Sequence, residues 1–285
     1  MLDERIDADT MRFAVLGETL KHTWSPYIHN SLFSAAGRNA IYMPITIPKH
    51  QLGSAVDVLR SCFSGFNVTI PYKERIIPLL DEVDDAVKAC GAVNTVENRN
   101  GRLIGHITDG IGLITALQRG GVCVDGVSSL ILGAGGAARV IAYEMLSRGG
   151  SVAFAVRNLD KGLQLKGELS ALHPEFEKRM AVCTLQNVIG SFDVLINCTP
   201  IGMYPNVNEC PVSAEVIARC GAVFDAVYNP RETQLLKHAR EVGIPVVEGL
   251  GMLFYQAVEA QRYWFSDMPS DSDQSLIYEE LLRRL

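Results

Sequence analysis

Polar side chains that could act together on a carbonyl group lie in three short segments of the first half of the chain. Asn67 and Thr69 alternate at the end of an apolar run, and Lys73 follows at the expected opening of a helix. Asn94 and Asp109 come later, each within a small polar cluster. Hydride addition to a ketone leaves an alkoxide, which needs a positive charge and a proton, and a lysine held by an aspartate supplies both. One lysine alone is usually a solvated surface charge, so the set as a whole predicts ketone reduction on a polyol.

A glycine-rich segment, 133–139, supplies a second chemical signal directly after the apolar run 129–132. It fits the pattern G-x-G-x-x-A, in which Gly133 permits a tight turn and Gly135 lets the backbone approach a pyrophosphate. The N-terminus of the following helix presents free N–H groups and a positive dipole end to phosphates. The segment therefore predicts a dinucleotide site that includes Gly133, Ala134, Gly135, Gly136 and Ala137.

The end of the next predicted strand distinguishes between the two nicotinamide cofactors. NAD enzymes usually place an acidic residue there for the ribose hydroxyls, whereas this chain has Arg157, which can meet a 2′-phosphate. Lys161 would add a second positive charge on the same helical face. The carboxylate of Asp160 would repel a 2′-phosphate and therefore favours NAD. The segment favours NADP over NAD.

The elements that must position these residues alternate between short apolar runs and amphipathic stretches, which predicts α/β architecture with helices on the faces of a parallel sheet. Ser25-Pro26 is expected to cap a helix over 26–36, and Asn100-Gly101 to turn a hairpin over 95–106. The change of motif separates an N-terminal α/β domain, 1–107, from a Rossmann-type domain, 108–249. Strands of the second domain are expected at 130–132, 152–156, 194–196, 223–226 and 246–247.

Composition excludes several classes of function. The chain has 285 residues, a net charge of −6 and no basic stripe, so nucleic acid is not an expected partner. The longest apolar stretches fall short of about 18 residues, so no membrane span is expected. Seven cysteines without a C-x-x-C pair, together with a polar N-terminus unlike a signal peptide, predict a cytoplasmic location. His22 and His29 belong to no cluster with metal-ligand spacing, so no metal site is expected.

Taken in order, these motifs resemble those of the shikimate dehydrogenase family along nearly the whole chain. The resemblance implies a two-domain enzyme with a deep cleft between the domains and a tail, 250–285, that returns to the substrate-binding catalytic domain. It also implies reversible, NADPH-dependent reduction of 3-dehydroshikimate to shikimate, a hydroxylated cyclohexene carboxylate, on the route to chorismate and aromatic amino acids. The matching segments are 17–26, 67–74, 91–95, 108–110, the loop from Gly133, 197–203, 225–230 and 249–256.

The resemblance further implies a role for each matching residue. Lys73 and Asp109 would form the catalytic pair, and Met203 and Gly251 would lie near the nicotinamide. The remaining implied contacts are Thr23 and Ser25 with the substrate carboxylate, Thr69, Asn94, Asp109, Tyr228 and Gln256 with the rest of the substrate, and Thr199 with the cofactor.

Departures from the family pattern leave alternatives open. Thr23 stands where serine is common, Trp24 where lysine is frequent, and Ile107 where asparagine precedes the Thr-Asp pair. These changes keep open a quinate or amino-shikimate dehydrogenase, including one that uses NAD. A folate-type dehydrogenase would not need the hydroxyls of Thr23 and Ser25, and a nucleotide-binding regulator without activity would not need Lys73 with its aspartate. Whether the protein forms a homodimer is also open.

Overall fold

In the computed structural model, which describes residues 6–21 and 23–284, the chain divides into two compact α/β units. Unit 1 contains the described residues up to Thr108 and from Gln256 onward, and unit 2 contains Asp109–Tyr255. The predicted boundary after residue 107 lies one residue from the first division. The predicted return at residue 250 precedes the second by six residues, because that division falls inside one continuous helix, Gly249–Trp264. Residues 1–5, His22 and Leu285, including part of the predicted carboxylate segment, lie outside the described residues.

Unit 1 contains a six-stranded mixed sheet in the order β2-β1-β3-β5-β6-β4. Neighbours pair in parallel except for β3 with β5 and β5 with β6, which are antiparallel. The hairpin is confirmed: Asn100 and Gly101 at its turn have φ angles of 54° and 89°, the left-handed values that a two-residue turn requires. The strands are β1 (Met11–Gly17), β2 (Ala40–Thr46), β3 (Gly65–Val68), β4 (Glu82–Val83), β5 (Thr95–Arg99) and β6 (Arg102–His106).

The helices of unit 1 that precede Asp109 are α1 (Ser25–Ala35), α2 (Leu52–Cys62) and α3 (Asp85–Cys90). The prediction that Ser25 caps α1 is wrong by one position: Trp24 is the N-cap and its side chain makes no capping bond. The predicted helix at Lys73 is also wrong. Residues 70–76 form turns that lead into the 3₁₀ helix Ile77–Leu79, and Pro78 lacks the N–H that a longer helix would need.

Unit 2 is a parallel six-stranded sheet in the order β12-β11-β10-β7-β8-β9, with helices joining the strands. The chain leaves β7 in one direction through β8 and β9 and then returns to the other side of β7 as β10. This reversal between β7 and β10 is the topological switch point at which Rossmann-type sheets bind ligands. The strands are β7 (Ser128–Leu132), β8 (Ser151–Val156), β9 (Met180–Thr184), β10 (Val194–Asn197), β11 (Val223–Asp225) and β12 (Val246–Glu248).

The helices of unit 2 cover both faces of this sheet, because alternate strand residues enter two separate apolar clusters. Ile131 packs in one cluster, whereas Leu130 and Leu132 pack in the other. The α/β class and parallel order predicted for this half are therefore confirmed, and β9 is a strand that the sequence interpretation missed. The helices are α4 (Asp109–Arg119), α5 (Gly136–Ser147), α6 (Leu159–Leu172), α7 (Ala214–Ile217), α8 (Gln234–Glu241) and α9 (Gly249–Trp264).

The tail returns to unit 1 with α10 (Asp271–Arg284). Trp264, at the end of α9, anchors it: its ring lies 4.7 Å from that of Phe13 and its Nε1 donates to the Val96 carbonyl at 3.1 Å. A Cβ at Gly65 would come within 2.4 Å of the Trp264 ring, so only glycine fits that point of β3. Among the described helices, none is both long and apolar enough to cross a membrane.

Candidate functional site

A buried hydrogen-bond network surrounds Asn94 in unit 1, directly before β5. Its amide nitrogen donates to Thr108 Oγ1 at 2.9 Å and to Gln256 Oε1 at 3.3 Å, and its amide oxygen accepts the Thr108 N–H at 2.8 Å. All three residues are buried. Two predicted substrate residues, Asn94 and Gln256, are thus brought into contact although they lie 162 positions apart in the chain.

The network continues through Asn67 of β3 to Tyr42 of β2, on the far side of β1. The Tyr42 hydroxyl donates to Asn67 Oδ1 at 2.6 Å, and Asn67 Nδ2 donates to the Asn94 carbonyl at 3.0 Å and to Thr95 Oγ1 at 2.9 Å. Burial raises the pKa of the Tyr42 phenol well above its ordinary value, so the hydroxyl stays a donor. Thr95 and Thr108 could have been found from the polar clusters beside Asn94 and Asp109, whereas Tyr42 carried no sequence signal.

Thr23 and Ser25 form a hydroxyl pair at the start of α1. Thr23 Oγ1 donates to Ser25 Oγ at 3.2 Å, and the Ser25 N–H donates to Thr23 Oγ1 at 3.3 Å. Both residues are half-buried, and neither hydroxyl caps the helix. Two hydroxyls beside the positive end of a helix can hold a carboxylate without a bidentate arginine.

Thr69 and Lys73 follow β3, and backbone bonds fix both of their positions. The Thr69 N–H donates to the Leu16 carbonyl at 2.9 Å, and the Val93 N–H donates to the Lys73 carbonyl at 2.8 Å. The backbone at Lys73 is therefore tied directly to the residue before Asn94. The lysine as a whole is half-buried.

Asp109 begins α4 and thus belongs to unit 2, whereas Lys73 belongs to unit 1. The carboxylate lies in the first turn of the helix, where the helix dipole favours a negative charge. Behind it, a Cβ at Gly110 would lie 2.4 Å from Glu144 Cγ of α5, so glycine allows the close approach of the two helices. Ile107, on the unit 1 side, is buried.

A cavity of about 330 Å³ opens in unit 2 at the carboxyl ends of β7, β8 and β10. Six of the predicted cofactor residues line it: Gly133, Ala134, Gly135, Arg157, Lys161 and Thr199. The other four, Gly136, Ala137, Met203 and Gly251, are not among its lining residues. The sequence interpretation missed Ala155, Val156, Asn158, Leu185, Cys198 and Pro200, which complete the lining.

Gly133 and Gly135 of this segment require glycine for different reasons. Gly133 has a φ of +106°, and a Cβ there would lie 3.2 Å from Thr199 Cγ2, so the fold itself requires glycine. A Cβ at Gly135 would meet no protein atom within 4 Å. The backbone at Gly135 therefore faces open space, as a loop must where it approaches a phosphate group.

Two cations, Arg157 and Lys161, line the same cavity near its β8 end. Asn158, between them, caps α6 by accepting the N–H groups of Asp160 at 2.9 Å and Lys161 at 3.4 Å. Asp160, whose carboxylate would disfavour a bound 2′-phosphate, does not line the cavity. Both cations are exposed, so they can neutralise a phosphate without leaving a buried charge behind when the cavity is empty.

A buried polar network supports the opposite wall of the cavity. Asn197 Oδ1 accepts the N–H of Thr199 at 3.0 Å and its hydroxyl at 2.7 Å, while Asn197 Nδ2 donates to Asp225 Oδ1 at 2.9 Å. Asp225 Oδ2 in turn accepts the Thr233 hydroxyl at 2.6 Å. Burial raises the pKa of Asp225, and its hydrogen bonds oppose this rise. The network fixes Thr199 and both ends of the loop that carries Tyr228.

Tyr228 lies in that loop, between β11 and α8, and is half-buried. Burial raises the pKa of its phenol, so the hydroxyl can act as a hydrogen-bond donor at neutral pH. Within the described residues, no group of three or more histidine, cysteine, aspartate or glutamate side chains is arranged to hold a metal ion.

Comparison with known proteins identifies relatives of both halves of the chain. A family model of the shikimate dehydrogenase substrate binding domain matches residues 15–96. A shikimate dehydrogenase (NADP(+)) from Caldanaerobacter subterraneus subsp. tengcongensis is 37% identical over 281 residues, which cover 97% of this chain and 98% of that protein.

Solved structures agree with this match over nearly the full length. The shikimate 5-dehydrogenase of Thermus thermophilus, in complex with NADP(H) and shikimate, superposes with a TM-score of 0.85 at 32% identity and covers 95% of this chain and 99% of its own. The quinate dehydrogenase of Corynebacterium glutamicum, in complex with NAD, gives the same TM-score at 29% identity, covering 96% and 98%. The same fold thus carries more than one substrate and cofactor pair.

Proposed function

The chain belongs to the shikimate dehydrogenase family, and from this premise we propose that it reversibly reduces 3-dehydroshikimate to shikimate with NADPH. The observation that carries the proposal is the Asn94 network in unit 1, together with the Arg157 and Lys161 cavity in unit 2. The Asn94 network can hold ring hydroxyls, and the cavity can hold a phosphorylated dinucleotide. The reaction belongs to the synthesis of chorismate and the aromatic amino acids.

In this proposal the hydroxyls of Thr23 and Ser25 bind the substrate carboxylate at the start of α1. Asn94, Gln256, Thr69 and Tyr228 bind the ring hydroxyls. The hydrogen bond that Asn94 donates to Gln256 orients both amides before substrate arrives, so little ordering remains to be done on binding. A ring that lacked one hydroxyl would leave a buried partner unpaired, at a cost of about 1–3 kcal/mol.

Lys73 and Asp109 form the proposed catalytic pair, and Asp109 also contacts the substrate. NADPH, when bound, supplies the hydride. The Lys73 ammonium group stabilises the negative charge that develops on the carbonyl oxygen and donates the proton that completes the alcohol. Asp109 orients the lysine. The interaction is strongest in the transition state, so the pair acts on turnover more than on substrate affinity.

Arg157 and Lys161 are proposed to bind the 2′-phosphate of NADP, and Gly133 to Ala137 to face its pyrophosphate. Thr199 would contact the cofactor from the adjacent strand, and Met203 and Gly251 would flank the nicotinamide. An NAD enzyme would instead need an acidic residue at position 157 to accept the ribose hydroxyls.

A cytoplasmic location is part of the proposal, supported by all seven cysteines being free thiols. The proposed partners are small molecules, with neither nucleic acid nor a membrane among them. A homodimer stays a prediction, which sedimentation of the purified chain would test.

Initial rates on four substrate and cofactor pairs test the proposal: shikimate or quinate, each with NADP or NAD. We expect the highest kcat/KM for shikimate with NADP. A higher value for quinate, or for NAD, would assign the sister activity instead. A protein that binds NADP and turns over neither substrate would be a regulator without activity.

The Lys73→Ala variant tests the mechanism within the same assay. We expect kcat to fall by about a hundredfold or more, the usual range for loss of a general acid, with the KM for shikimate changing much less. Lys49→Ala, at an exposed lysine paired with Glu18, is the matched control and should keep the wild-type rate. Equal losses in affinity and turnover at Lys73 would contradict its catalytic role.

A further inference from the structure

Glu248, the last residue of β12, holds one arginine on each of its two carboxylate oxygens. Arg231 Nε donates to Oε2 at 2.5 Å, and Arg240 Nη2 donates to Oε1 at 2.9 Å. The glutamate side chain is only 16% exposed, whereas the two arginine side chains are 43% and 40% exposed. Because both oxygens are used and shielded, the carboxylate is a fixed point to which two other segments attach.

One of these segments is the loop 226–233, which carries Tyr228. Its ends are held inside the unit by Asp225, which accepts the Val227 N–H at 3.0 Å and the Thr233 hydroxyl at 2.6 Å. Arg231 lies between these anchors and ties the outer part of the loop to Glu248. The second segment is α8, where Arg240 also pairs with Glu232 of the loop. The loop is therefore clamped to β12 both directly and through α8.

The end of β12 is itself held firmly against the start of this loop. A Cβ at Gly249 would lie 2.5 Å from the Asp225 carbonyl oxygen and 2.7 Å from that of Ala226. The two carbonyl oxygens therefore leave no room for a side chain at position 249, so β12 and the start of the loop pack closely there. Glu248 thus lies at a closely packed junction. Arg231 and Arg240 hold the outer part of the loop to it, and the Tyr204 N–H adds a backbone bond to the Asn229 carbonyl at 3.4 Å.

The geometry points to Glu248 as a positioning residue that fixes the loop carrying Tyr228 for substrate binding. This inference rests on the proposed function, in which Tyr228 binds a ring hydroxyl. Partly exposed ion pairs contribute little to the free energy of unfolding. Displacement of a substrate ligand by about 1 Å can nevertheless reduce turnover by up to about a hundredfold. Removing the carboxylate should therefore change catalysis more than stability.

Glu248→Gln tests the inference, since it keeps the side-chain size and removes the charge. We expect about a five- to tenfold rise in the KM for shikimate, in the range that loss of one hydrogen bond to the substrate produces. The KM for NADP should stay within about twofold, because neither Glu248 nor Arg231 lines the nucleotide cavity. Arg231→Gln should raise the shikimate KM in the same direction. The double variant should be no worse than Glu248→Gln alone, because that single variant already removes the Arg231 contact.

Asp193→Asn is the matched control in the same unit. Asp193 accepts the Ser128 N–H and hydroxyl, both at 2.7 Å, and so joins the starts of β10 and β7, at the opposite ends of the strands from the cavity. This variant should lower the melting temperature and leave both KM values at wild-type levels. An unchanged shikimate KM in Glu248→Gln, or additive effects in the double variant, would overturn the positioning role.

Amide hydrogen exchange separates this inference from the proposed function, because it needs no substrate. Residues 226–233 should exchange at least about fivefold faster in Glu248→Gln than in the wild type, while β7 and β10 keep their protection. Unchanged exchange in the loop would refute the clamp even in an enzyme that turns over shikimate. Faster exchange in a protein whose wild type does not turn over shikimate would support the clamp and reject the function.

Discussion

One of the buried histidines of unit 1, His29, predicts how the protein loses stability in acid. His29 is fully buried, its ring stacks on Tyr42 at 4.1 Å, and its Nδ1 lies 3.3 Å from Gln261 Nε2. Because Gln261 Oε1 accepts from Arg38 at 3.0 Å, the glutamine presents its nitrogen to the ring as a donor. His29 Nδ1 is therefore an acceptor, and protonation would remove this contact. Burial lowers the pKa of His29 from 6.5 to about 3.

The sign and the size of the effect follow from that shift. The unfolded chain takes up a proton at His29 below pH 6.5, while the folded chain resists until about pH 3. Protonation of His29 in the unfolded chain therefore leaves the free energy of unfolding unchanged above pH 6.5 and lowers it as the pH falls from 6.5 toward 3. The loss is roughly 1.4 kcal/mol per pH unit, or about 2 kcal/mol at pH 5.0. At pH 5.0 the folded imidazole is still neutral, so this figure depends on the unfolded value alone.

Urea unfolding at pH 7.5 and 5.0 measures the loss in the wild type and in His29→Phe. The phenylalanine keeps a ring against Tyr42 and cannot be protonated, so other titrating groups cancel when the two proteins are compared. We expect the variant to lose about 2 kcal/mol less than the wild type between the two pH values. His50→Gln, at an exposed histidine, should lose as much as the wild type. The reasoning is refuted if His29→Phe and the wild type lose the same free energy.

Three further predictions concern unit 2. Gly135→Ala should leave the melting temperature within about 2 °C of wild type and weaken NADP binding at least about tenfold, because the added methyl group meets only the space that a phosphate would fill. Gly133→Ala should instead lower the free energy of unfolding by about 1–3 kcal/mol, the cost of a left-handed backbone for alanine, and calorimetry with and without NADP checks both variants. Asp225→Asn should destabilise the unit by about 1–3 kcal/mol in urea unfolding at pH 7, because an amide cannot accept all three donors, Asn197, Val227 and Thr233. Unchanged stability would show that the network relaxes around the amide.

The nucleotide half could be predicted largely from the sequence because its signals are local. Gly133 and Gly135 follow one strand, and Arg157 ends the next, so a single strand-loop-helix-strand segment contains most of the cavity. Leu185 and Cys198 were missed because they reach the cavity through the sheet order. Cys198 reaches the cavity because β10 pairs with β7, and Leu185 reaches it because β9 pairs with β8. No local sequence pattern predicts either pairing.

The hydrogen-bond network around Asn94 in unit 1 could not be predicted in this way, because its contacts are not local in the sequence. Asn94 meets Gln256 across most of the chain, and Asn67 meets Tyr42 across the sheet, so both contacts are products of tertiary structure. The family resemblance named Asn94 and Gln256, but it could not indicate that the two residues bind each other. The wrong helix at Lys73 has a local cause, since Pro78 and the turns before it end regular structure there.

The replacement at position 107 bears on where substrate choice resides in this chain. Ile107 stands where the family pattern has asparagine, one of the changes that keep a quinate or amino-shikimate dehydrogenase open. In the structure Thr108 itself supplies both bonds to Asn94, through its N–H and its hydroxyl, and Ile107 is buried as an apolar residue. The Asn94 network therefore does not need a polar side chain at 107. In the proposed function, Thr23, whose hydroxyl pairs with Ser25, is the departure that can alter how a ring carboxylate is held.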